Sequence, residues 1–141
     1  MNINQISFQV LLIFGGFVLS QATQAQVFEI KNASKRYDVK ITTSCTDRSC
    51  DGQANIDLYL KGTTQHFQHF SSAELTMDLD ETYKPSVNVV QLYGEQSALI
   101  FADFNFDGSE DVAIRNGNYG AYGGPTYDVY ASFIEPRINL F

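Results

Sequence analysis

Apolar and polar side chains alternate through most of this chain, and a period of two predicts β-strands. In residues 36–42, Tyr37, Val39 and Ile41 share one face, with Asp38 and Lys40 on the other. Residues 54–60 repeat the pattern, with Ile56, Leu58 and Leu60 set against Asp57 and Tyr59. Leu75, Met77 and Leu79 alternate with Thr76, Asp78 and Asp80. Shorter β-like runs cover residues 27–30, 87–93, 98–101, 112–114 and 127–133. Turn signals separate them: Asp51-Gly52, Lys61-Gly62, Lys84-Pro85-Ser86, Tyr93-Gly94, Asp107-Gly108 and Asn116-Gly117. No window sustains a helical period with a capping box and a terminal Gly. Only the Ser-Ser-Ala-Glu-Leu stretch ending at Leu75 suggests a single helical turn. The expected fold class is all-β, an antiparallel meander forming a sandwich or a propeller-like sheet.

The N-terminus follows a different rule. Residues 10–19 form an apolar run of ten, and Glu29 is the one charged side chain in the first thirty. A bilayer span needs roughly 20 apolar residues, so this run matches the core of a secretory signal instead. Polar and small residues follow, and Thr23 and Ala25 occupy the small-residue slots of a cleavage site after Ala25. The pattern departs in one respect: no Lys or Arg precedes the apolar run. The expected organisation is a signal peptide over residues 1–25 and one all-β domain over residues 26–141. The mature protein would be periplasmic or secreted, with no transmembrane anchor.

Charge and cysteine content narrow the partners. The 141 residues carry nine Lys and Arg against sixteen Asp and Glu, a net charge of −7. That balance argues against nucleic acid, whose phosphates need a basic surface. Two cysteines exclude a disulfide-dense miniprotein and a four-Cys zinc site built by one chain. In an exported protein, Cys45 and Cys50 would pair, and so short a closed loop contributes about 2 kcal/mol. A free pair and a redox-active pair remain the alternatives. Against redox chemistry, four residues separate the two, with no neighbouring His or helix start to lower a thiol pKa.

The richest chemistry lies in residues 101–114. Asp103, Asn105 and Asp107 alternate, Gly108 follows, and Ser109 and Asp111 complete a D-x-N-x-D-G-x-x-D pattern. These match positions one, three, five, seven and nine of a calcium loop. The pattern suits calcium, which takes hard oxygen ligands, and a tightly curled loop turns alternate side chains inward. Side-chain oxygens of Asp103, Asn105, Asp107 and Asp111 and the backbone carbonyl of Ser109 would be the ligands. Ile114 stands where an EF-hand has its bidentate Glu, and a strand-like run follows instead of a helix. The expected site is therefore a strand–loop–strand calcium loop, with Glu110 pointing away from the ion. A solvated acidic turn held by Asx bonds and another metal are the alternatives. Zinc is disfavoured because the loop holds no His or Cys.

Four Gly and three Tyr fall between Gly117 and Tyr127. That composition suits a recognition loop, since Tyr offers large amphipathic area at low entropy cost. Asn118, Tyr119 and Tyr122 are the candidate partner-binding residues, while Tyr127 and Tyr130 read as sheet residues. Enzymatic candidates are weak. His66 and His69 are three apart, which on a regular strand puts them on opposite faces and prevents a shared task. Ser71 and Ser72 lack nucleophile-elbow glycines. No catalytic constellation stands out, and a non-enzyme is expected.

Asp103-Phe-Asn-Phe-Asp-Gly-Ser-Glu-Asp111, with the later Gly-Gly-Pro-Thr-Tyr-Asp-Val-Tyr130, resembles the FG-GAP/VCBS calcium loops of β-propeller proteins. More closely, residues 85–130 look like a family of small secreted bacterial proteins related to periplasmic lysozyme inhibitors. That family includes immunity proteins against peptidoglycan hydrolases. The Cys45–Cys50 hairpin is similar too, so the likeness covers roughly residues 37–130. It implies an all-β inhibitor with calcium held by Asp103, Asn105, Asp107 and Asp111. Its partner would be a peptidoglycan hydrolase, whose cleft receives a loop braced by the ion. The competing reading is a calcium-dependent adhesion or scaffold module. The resemblance also implies a further β-rich half that residues 131–141 do not supply, so a fold incomplete at its C-terminal end is expected.

Overall fold

The computed structural model describes residues 24–91, 94 and 96–132. The expected signal segment lies outside the described residues except for Gln24 and Ala25.

Among the described residues, seven strands form two antiparallel sheets. The first is a four-stranded meander in the order β1 (Ala25–Ile30), β2 (Tyr37–Thr46), β3 (Ser49–Leu60) and β4 (His66–Asp78). The second orders β5 (Leu99–Ala102), β6 (Asp111–Arg115) and β7 (Tyr127–Tyr130). A one-turn 3-10 segment at Ala121–Gly123 is the remaining regular element among the described residues. The all-β antiparallel class is what the alternation predicts, and among the described residues the two sheets make neither a closed barrel nor a propeller.

Register explains which faces meet. Phe28, Ile41, Ile56 and Phe70 are successive cross-strand partners, and all four belong to or pack against one core. The parallel row of Glu29, Lys40, Asp57 and His69 occupies the opposite, polar face. The second sheet adds Leu99, Phe101, Val112 and Ile114 to the same core. Ile41, Ile56, Leu75 and Leu99 are fully buried, each stabilising by about 1.5–3 kcal/mol over an exposed position. Across the two sheets the Phe70 and Tyr130 rings stand 4.5 Å apart. The Ser72 hydroxyl donates to the Arg115 carbonyl at 2.8 Å.

Three local expectations are corrected. The β2–β3 turn is Asp47-Arg48, with Thr46 paired to Ser49 and Asp47 left-handed at φ 54°. Asp51-Gly52 instead lies inside β3, where a register shift before Ala54 absorbs the glycine. The stretch ending at Leu75 is strand rather than helical turn: Ser72 pairs with Ala54 and Leu75 with Gly52, and the register shift between these pairs lets both residues be buried. Within the expected run 87–93, the described residues 87–91 do not make a strand. Asn88 takes φ 62° and is pinned by its side chain, donating to the Ala33 carbonyl at 2.9 Å and accepting from the Phe101 N–H at 2.7 Å. A left-handed residue breaks the extended run, leaving isolated bridges between Leu79 and Pro85 and between Val90 and Gln96. Leu92 and Tyr93 lie outside the described residues.

Cys45 and Cys50 face each other across the β2–β3 hairpin, Cα to Cα 3.9 Å, and their sulfurs are bonded. This is the structural pairing, with no free cysteine.

Candidate functional site

Residues 103–110 join β5 to β6 as a curled loop built on Asx hydrogen bonds. The Asp103 carboxylate accepts the N–H groups of Asp107 at 3.1 Å and Gly108 at 2.9 Å. The Asn105 side-chain oxygen also accepts from the Asp107 N–H, and its amide donates to the Asp107 carboxylate at 2.9 Å. Asp107 in turn accepts the Ser109 N–H at 2.7 Å. That N–H, and then the Asn105 amide, hold the Asp107 carboxyl below the usual carboxylate range. Gly108 sits at φ 84°, in the left-handed region glycine enters freely.

Asp111 has a different role. Fully buried at the start of β6, it accepts the Phe104 N–H at 2.9 Å on one oxygen and the Ser132 N–H at 2.7 Å on the other. It therefore ties the loop's first turn to the end of β7. Asp103, Asn105 and Asp107 share the curl, while Asp111 is engaged behind it. Among the described residues, no three His, Cys, Asp or Glu side chains gather as a ready-made metal cluster. Nor does a Lys or Arg reach ion-pair distance of the loop's carboxylates. Ser109 is buried, its side chain beside the Asp107 carboxylate, and it lines a shared hollow with Asp103, Lys35 and Arg36.

The Gly/Tyr loop connects β6 to β7, so it emerges at the opposite end of β6 from the acidic loop. Five residues of strand separate them by roughly 16 Å. An ion in the acidic loop would brace that end of the sheet and not the tyrosines. The Gly/Tyr loop is braced by β4 instead. The Asn116 side-chain oxygen accepts the Glu74 N–H at 3.2 Å, and the Gly117 N–H donates to the Glu74 carbonyl at 2.7 Å. The Tyr119 hydroxyl donates to the Glu74 carboxylate, which raises the tyrosine's pKa. A Cβ on Gly117 would strike the Tyr119 ring at 2.3 Å, so that position requires glycine. Asn118 accepts from the Arg115 guanidinium and is exposed. Tyr122, wholly exposed, sits at φ 56° on the loop tip. Tyr127 and Tyr130 lie in β7, as their pattern predicts.

Two features escape sequence reasoning. The first is Phe106, 91% exposed and left-handed at φ 62° on the tip of the acidic loop. A bulky residue in that region is strained. The second corrects the reading of the histidines. His66 Nε2 and His69 Nδ1 both reach Asp57 Oδ1, at 3.1 Å and 2.7 Å. The register slips between Leu58 and Tyr59, so His66 pairs with Tyr59 while Gln68 pairs with Leu58. Phe67 is the extra residue, turned to the inner face against Tyr37 at 5.1 Å. This bulge puts both histidines on the polar face. An uneven count in the partner strand is invisible to a period-two reading.

Among the described residues no helix is long and apolar enough to cross a membrane. The chain matches no family, no curated protein and no solved structure.

Proposed function

We propose that this is an exported, calcium-binding inhibitor of a cell-wall glycan hydrolase, of the immunity type. The observation that carries the binding reading is the Gly/Tyr loop. Its base is fixed on β4 through Asn116, Gly117 and Glu74, while Tyr119 and Tyr122 stand in solvent. A rigid base with exposed aromatics loses little entropy on binding. Lysozyme-like hydrolases are often basic, and a net charge of −7 would speed encounter with such a target.

The acidic loop supports the calcium half. Its donors are all hard oxygens, and three Asp and one Glu crowd nine residues with, among the described residues, no Lys or Arg in ion-pair distance. Asp103, Asn105, Asp107, the Ser109 carbonyl and Asp111 would hold the ion, which would supply positive charge and order to the loop. With calcium at a hundred times its dissociation constant, linkage adds about 2.7 kcal/mol of stability. We therefore expect chelator to lower the melting temperature and Asp107→Ala to remove that difference. A melt indifferent to chelator, with no calorimetric heat on adding calcium, refutes calcium binding.

Turbidity loss of peptidoglycan under a panel of hydrolases tests inhibition. Protection by the protein is expected, weakened by Tyr119→Ala or Tyr122→Ala if the Gly/Tyr end makes the contact. Loss with Phe106→Ala instead assigns contact to the other end of β6. No protection against any hydrolase, with retention on a glycan or surface-protein array, favours an adhesion module.

A further inference from the structure

Where the two sheets part at one end of the core, a hollow of about 410 Å3 opens to the surface. Its walls are aromatic: Tyr37 with Phe67 at 5.1 Å from the first sheet, and Phe70 with Tyr130 at 4.5 Å across the two sheets. Three polar side chains besides the tyrosines also line it, Gln68, Glu110 and Ser132. Glu110 Oε2 and Ser132 Oγ are both shielded from solvent, and neither has a hydrogen-bond partner.

An unpartnered, shielded carboxylate oxygen is costly, more so than a neutral group. Among the described residues no cation lies within ion-pair distance of it. The aromatic faces around it carry negative quadrupoles and attract cations. Arg36 already shows this chemistry from outside the hollow, its guanidinium 5.4 Å from the Tyr37 ring centroid. Carboxylate, aromatic faces and a hydroxyl acceptor together describe a receptor for a planar, multi-donor cation.

We infer that this hollow receives an arginine side chain presented by a protein partner. A guanidinium stacks on aromatic faces, is weakly hydrated and offers several donors in one plane. Once the two shielded side chains turn toward the hollow, one edge of the guanidinium meets the Glu110 carboxylate while another N–H reaches the Ser132 hydroxyl. Lysine brings a compact, strongly hydrated ammonium that desolvates less readily. That the partner is a basic hydrolase rests on the function proposed above, whereas the chemistry of the slot does not.

The test is a heteronuclear NMR titration of the purified protein with N-acetyl-arginine methylamide. The lysine counterpart and neutral, nearly isosteric citrulline serve as controls. Saturable shifts at Glu110, Tyr130 and Ser132 are expected, with millimolar affinity for so small a ligand. Lysine should bind more weakly and citrulline not at all. Glu110→Gln, whose fold the same spectrum verifies, should weaken arginine binding by about tenfold. Shifts that never saturate, equal binding of citrulline, or affinity undiminished in Glu110→Gln each overturn the inference. Arginine binding without protection against any hydrolase keeps the slot and removes the proposed function. Protection without arginine binding does the reverse.

Discussion

Asp38 illustrates how one side chain can organise a surface. Buried among strands, it accepts the Asn32 N–H at 2.7 Å and the Gly62 N–H at 3.2 Å, with Lys31 at 3.9 Å. One carboxylate thus joins the β1–β2 and β3–β4 turns. The Asn32 N–H is the main cause holding its pKa down against burial. A carboxyl lowered on folding gives stability that is full above its unfolded pKa, near 3.9, and is lost as pH falls through the folded value. Acid unfolding should therefore begin in that window, and Asp38→Ala should both flatten it and cost about 1–3 kcal/mol at neutral pH. Chemical denaturation at several pH values measures both. Little of this was legible beforehand. Alternation put Asp38 on the polar face, but nothing local says that two turn amides converge on it. The same limit hid Phe106, whose exposure depends on a backbone angle the D-x-N-x-D spacing does not specify.

Among the elements, strands with strict alternation were readable and those with interrupted alternation were not. β2, the second half of β3 and the end of β4 match their patterns, since each buries one face on the shared core. The first half of β4 hid behind its own bulge, which turns Phe67 and Gln68 to one side and merges two registers. Asn88 broke the opposite way: the surrounding residues favour a strand, and tertiary hydrogen bonds to Ala33 and Phe101 override them. The β2–β3 hairpin carries the clearest element-scale prediction. Replacing Cys45 and Cys50 together by Ser should lower stability by about 2 kcal/mol. Amide exchange should accelerate around Asp47-Arg48 and leave Ile41 and Ile56 protected. Exchange rising uniformly over the sheet would mean that the bridge supports the core itself.

At the scale of the whole molecule, the net charge of −7 bears on encounter with the proposed partner. If the partner is basic, association should slow as ionic strength rises and the Debye length falls from about 10 Å at 0.1 M salt. Dissociation should barely change, and surface plasmon resonance at several salt concentrations separates the two rates. A salt-independent association rate would remove electrostatic steering from the account.

The Asn116–Gly117 contact has a consequence beyond recognition. β4 borders its sheet, and such a border offers unpaired amides to any passing strand. At Glu74 both main-chain groups are occupied by the chain itself, the N–H by the Asn116 side chain and the carbonyl by the Gly117 N–H. The loop that presents Tyr119 thus also works as a gatekeeper, interrupting the row of amides midway. That interruption leaves β4 less open to pairing with a second copy, and variants that loosen the loop would trade away shelf life before they lose their fold.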